Sequence, residues 1–93
     1  MSDTYQRTTV VYTGHVQGVG FRYTVRNLAE RLAITGYVRN LDNGKVELLA
    51  EGPPSEIDSL LTQVRDHFRE NIDDEQISTA APSGQFATFA IRH

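Results

Sequence analysis

A chain of 93 residues, 39% hydrophobic and 23% charged, has room for a single domain around one core, so any functional site lies on that domain's surface. A formal net charge of -3 supplies no long-range pull toward nucleic acid or acidic membranes, and the absence of cysteine excludes disulfides, thiolate zinc sites and a cysteine nucleophile. The opening MSDTYQRTT carries no apolar leader and no run approaches the ~20 apolar residues of a membrane span, so a soluble, cytoplasmic protein is expected, with a monomer as the simplest state.

Residues 8–13, TTVVYT, are β-branched and aromatic and read as a strand. After GHVQGVGFRYT, residues 14–24, the period changes. Phe21, Val25, Leu28, Ala29 and Leu32 fall on one helical face, Arg22, Arg26 and Glu30 form a polar stripe opposite, and Gly36 marks the stop. Tyr37–Asn40 is extended, with Arg39 pointing away from the face that carries Asn40 and read as one half of a salt bridge on the sheet. Asp42, Asn43 and Gly44 supply a hairpin turn. Val46, Leu48 and Ala50 then alternate with Glu47, Leu49 and Glu51 in a half-buried strand. Pro53, Pro54 and a Ser55 N-cap open a second helix with Ile57, Leu60, Leu61, Val64 and Phe68 inward. Residues 75–79 form a weaker strand, AAPSGQ is a loop, and residues 86–92 form a last strand. The order βαββαβ plus a short final strand predicts an α+β fold, a ferredoxin-like α/β sandwich with two helices on one face of a mostly antiparallel sheet.

The glycine-rich junction holds the chemistry. Residues 13–40 contain Arg22, Arg26, Arg31 and Arg39 against Glu30 alone, whereas residues 51–75 are strongly acidic, so a small anion prefers the first half. A triphosphate P-loop needs a lysine after its glycines, and the chain's only lysine is Lys45 in the hairpin. A dinucleotide fingerprint needs a third glycine where Tyr23 stands. What remains is a cradle for one phosphate group, built from the N–H groups of Gln17, Gly18, Val19, Gly20, Phe21 and Arg22. The first turn of a helix is partly positive, so Arg22 there calls for an anion between the two. The alternative is a junction that only turns the chain, with Arg22 in solvent.

GHVQGVGFR followed by GYVRNLDNGKVELLAEG resembles the acylphosphatase family, over about three quarters of the chain. The resemblance implies hydrolysis of the carboxylic–phosphoric anhydride of small acyl phosphates, without metal or other cofactor. It assigns phosphate binding to Arg22 and residues 17–21, and orientation of the attacking water to Asn40. His15 and Tyr37 depart from the residues frequent at those places, and FRENIDDEQIS lacks the Gly-Pro turn many members carry. A non-catalytic module that binds phosphoryl or carbamoyl-phosphate-like anions is the second reading.

The remaining groups have plainer roles. His15 reads as a loop residue, while His67 and His93 lack partners at metal-ligand spacing. Asp73, Asp74 and Glu75 read as a solvated run. Tyr12, Tyr23, Tyr37 and Phe86 read as core or edge packing, because the basic-glycine-aromatic signature of RNA-binding sheets is missing.

Overall fold

The computed structural model describes residues 4–93; Met1, Ser2 and Asp3, where the leader reading begins, lie outside the described residues. Strands β1 (Gln6–Gly14), β2 (Thr35–Asn40), β3 (Val46–Gly52), β4 (Ile72–Ala80) and β5 (Phe89–Arg92) join helices α1 (Phe21–Ala29) and α2 (Pro54–His67). The sheet order is β4-β1-β3-β2-β5, antiparallel except where β5 runs parallel to β2. This is the ferredoxin-like sandwich expected. No helix among the described residues is long and apolar enough to cross a membrane.

Val10, Tyr12, Val38, Val46, Leu48 and Ala50 point from the sheet into one core with Phe21, Val25 and Ala29 of α1 and Ile57, Leu60 and Val64 of α2. Phe21 stacks on Phe68 with ring centroids 4.5 Å apart and tilts against Tyr12 at 5.0 Å. The first residue of α1 is therefore fixed by aromatic packing, which anchors the end of the glycine loop.

Four local expectations are corrected. The α1 periodicity runs on to Leu32, but the helix ends at Ala29, where Arg31 and Leu32 donate to Leu28 and Ala29 in tighter i to i−3 bonds. Gly36 does not stop a helix: it lies in β2, where a Cβ would strike the Leu49 carbonyl oxygen. The N-cap of α2 is Pro53, not Ser55, because Pro54 fills the first helical position, where its missing N–H costs nothing. On β3, the face of Leu49 and Glu51 is buried as well, since β3 sits mid-sheet and the segment after β4 folds over Glu51.

The two C-terminal strands differ from expectation in extent. Strand β4 is longer than residues 75–79, held by its backbone ladder to β1 while most of its side chains stay exposed. Strand β5 starts at Phe89, three residues after Phe86.

Candidate active site

The segment 15–20 is pinned at its entry, middle and exit. At the entry His15 N–H donates to the Asn71 carbonyl at 2.9 Å, and Asn71 Nδ2 returns a bond to the His15 carbonyl at 3.1 Å. In the middle, Val16 is buried in the core and Gln17 Nε2 donates to the carbonyls of Leu41 and Lys45 at 2.8 and 2.9 Å. At the exit Phe21 enters the aromatic cluster. Gly18 and Gly20 adopt φ of 78° and 80°, and a Cβ at either meets nothing within 4 Å, so glycine serves backbone conformation there rather than space.

Gly20 is the N-cap of α1, which has neither a capping side chain nor an acidic residue in its first turn. The N–H groups of Gln17 to Arg22 donate to no protein acceptor among the described residues. The N–H groups of Phe21 and Arg22 are the free donors that any helix start leaves, and those of Gln17 to Gly20 extend the row back along the loop. Arg22 pairs with no carboxylate among the described residues; its Nη1 lies 3.4 Å from His93 Nδ1.

A depression of about 210 Å³ is lined by Val16, Gly18, Gly20, Phe21, Arg22, Tyr23 and Asn40. Arg22 and Tyr23 also border a neighbouring one of about 270 Å³ with Arg26, Ile91 and His93. Asn40, 18 positions after Arg22 in the chain, reaches the same hollow from the end of β2. Size does not select the site, since a larger hollow of about 400 Å³ is bordered by Asp66, Arg69 and Glu70, where Arg69 is already paired with Asp66 at 3.2 Å and Glu70 opposes a phosphate.

The sequence model of the acylphosphatase family matches residues 8–91. The chain belongs to the acylphosphatase family. It is 36% identical over 92 residues to an acylphosphatase of Koribacter versatilis, covering 98% of this chain and 84% of that protein. To an acylphosphatase of Yersinia pseudotuberculosis it is 38% identical over 81 residues, 86% of this chain and 88% of that one. The crystal structure of acylphosphatase from Bacillus subtilis superposes with a TM-score of 0.85 at 30% identity, covering 95% of this chain and 99% of the other. The chain is thus an enzyme of the acylphosphatase class, acting on a small molecule.

Within this acylphosphatase fold, Gly18, Gly20, Phe21, Arg22 and Asn40 meet at one hollow, whereas Val19 and Gln17 belong to the loop without lining it. His15 is exposed and lines none of these hollows, in keeping with its loop reading. Tyr23, Val16 and His93 near Arg22 are additions that periodicity did not single out. Arg39 turns away from Asn40 and donates from Nε to Glu47 Oε1 at 2.7 Å, the ion pair expected on the sheet. The four aromatics share no platform: Tyr12 is in the core, Tyr23 is exposed on α1, and Tyr37 packs with Phe86 under Arg92. No group of three or more metal-ligating side chains occurs among the described residues.

Proposed function

We propose that the hollow between the glycine loop and β2 hydrolyses acyl phosphates, with the N–H groups of residues 17–22 and the Arg22 guanidinium holding the phosphoryl group and Asn40 orienting water. The observation that carries this reading is the meeting at one depression of Gly18, Gly20, Phe21 and Arg22, whose N–H groups have no protein acceptor among the described residues, with the carboxamide of Asn40 and an Arg22 side chain that pairs with no described carboxylate. Backbone donors and a guanidinium fork suit a tetrahedral dianion. A neutral carboxamide suits the water, because it donates to one oxygen and accepts from another without repelling phosphate.

Little more chemistry is needed. The leaving carboxylate has a conjugate acid of pKa near ~4, so it departs without a proton at neutral pH. Water oxygen bonds to phosphorus, the bridging O–P bond breaks with its electrons going to the carboxylate, and the water proton passes to a phosphate oxygen. Fixed donors lower the barrier by holding the equatorial oxygens as charge redistributes. No step calls for a metal, and the proposal takes the enzyme as a monomer working in the cytoplasm.

The test follows loss of benzoyl phosphate by absorbance, with and without a chelator, for the wild type and Arg22→Ala. Chelator-resistant turnover that collapses in the variant supports the reading. Phosphate binding without turnover in the wild type would instead favour the binding-module alternative.

A further inference from the structure

The side chain of Gln17 is a part of the loop that the cradle leaves unused, since only the N–H of that residue belongs to it. Its Nε2 donates to the carbonyls of Leu41 and Lys45 at 2.8 and 2.9 Å. A primary amide nitrogen carries two hydrogens, so both are engaged. The two acceptors flank the β2–β3 turn, whose ends are already joined by Leu41 N–H donating to the Lys45 carbonyl at 2.8 Å. Leu41 directly follows Asn40. One carboxamide thus ties the loop to the peptide next to the residue that orients water.

We propose that Gln17 is a positioning residue, whose side chain holds the Asn40 hairpin at a fixed offset from the glycine loop and so aligns the attacking water with phosphorus. This rests on the function proposed above. In-line displacement is sensitive to such an offset, because misplacing a reacting group by about 1 Å costs on the order of a hundredfold in rate. A staple that served only folding would instead weaken stability, phosphate binding and turnover together. Because the acceptors are backbone carbonyls, no side-chain change in the hairpin removes them, and the contact is cut only from the Gln17 side.

Gln17→Met keeps length and removes the donor, while the residue 17 N–H remains. In Gln17→Met, kcat on benzoyl phosphate is expected to fall on the order of tenfold to a hundredfold. The inhibition constant of inorganic phosphate is expected to stay within about threefold. Added to Asn40→Ala, Gln17→Met is expected to change the residual rate by less than about twofold, since the group it positions is already gone. Unchanged kcat in Gln17→Met overturns the proposal, as does a parallel loss of kcat and phosphate affinity that adds to the loss in Asn40→Ala. Should Gln17→Met fail to fold, Gln17→Asn, one methylene too short to reach both carbonyls, carries the same comparison. Hydrogen exchange of the wild-type Gln17 side-chain amide gives an activity-free readout: protection is expected, and exchange at the free-amide rate overturns the proposal. If Asn40→Ala keeps full turnover, the function assignment and this inference fall together; if Asn40→Ala is inactive but Gln17→Met fully active, only this inference falls.

Discussion

Two glycine-bearing segments of this chain present backbone N–H groups in the same way and end differently. In the segment after β4, Ser83 N–H and Oγ each donate to Glu51 at 2.8 Å and Gly84 N–H at 3.0 Å, with Gly84 at φ 71°. In the segment after β1, Gly18 and Gly20 have nearly the same φ, but no carboxylate among the described residues comes to the N–H groups. One segment carries its anion inside the fold and is thereby a latch. In the function proposed above, the other leaves the anion's place to a ligand, with Arg22 set beside it.

The largest effect expected from breaking this contrast is at Arg22. Removing a donor of this kind costs about 3 kcal/mol of transition-state stabilisation, at least a hundredfold in kcat/KM, in Arg22→Ala. Arg22→Lys is expected to fail nearly as badly, because an ammonium lacks the planar fork. Next is Asn40→Ala, in which turnover drops by about a hundredfold or more while inorganic phosphate still binds, read by calorimetric titration.

At the latch, the consequence is stability rather than rate. Glu51→Gln sets an amide against three donors and is expected to cost about 1–3 kcal/mol in urea unfolding at pH 7, leaving turnover unchanged. Burial alone would raise the Glu51 carboxyl, but the bonds from Ser83 and Gly84, with the charge of Arg7, outweigh it and hold it below 4.5. A carboxyl lowered by folding contributes stability that is complete above its unfolded pKa and is lost as the pH falls through the folded one. The gap between wild type and Glu51→Gln is therefore widest at neutral pH and narrows on acidification below 4.5.

The smallest and most symmetrical pair is Gly20→Ala and Gly84→Ala. Both sites have open space around an added Cβ and φ near the left-handed region, so each substitution is expected to cost about 1–2 kcal/mol of stability from backbone conformation alone. Only Gly20→Ala is expected to lower phosphate affinity as well. Equal effects on phosphate binding would erase the distinction between the segments.

Much of this architecture was legible in the residues, and what was not has a common cause. Alternation and helical periodicity report which way side chains face, so TTVVYT, the Phe21 helix and the Asn43–Gly44 turn were readable, as was the Arg39 ion pair from its parity with Asn40. Periodicity is blind to partners that are backbone carbonyls 24 and 28 residues away, which is why the Gln17 side chain was read only through its N–H. It is equally blind to a segment that folds back over a strand, so Glu51 was placed in solvent. Helix ends escaped it too: Leu32 keeps the apolar rhythm beyond the last α-helical residue, and Pro54 displaces the cap from Ser55.

That Gly18 and Gly20 lead into a helix start carrying Arg22 was readable for a different reason. Gly18 and Gly20 beside an arginine at a helix start make a local electrostatic conflict that needs no tertiary contact to notice. The position of Asn40 opposite them came from the family resemblance, not from periodicity.

The most direct measurement is a crystal structure of the wild type with inorganic phosphate. Phosphate oxygens are expected about 2.7–3.2 Å from N–H groups of residues 17–22 and from the Arg22 guanidinium, with Asn40 facing the phosphorus. Phosphate bound elsewhere, with those N–H groups directed away from the hollow, would contradict the account.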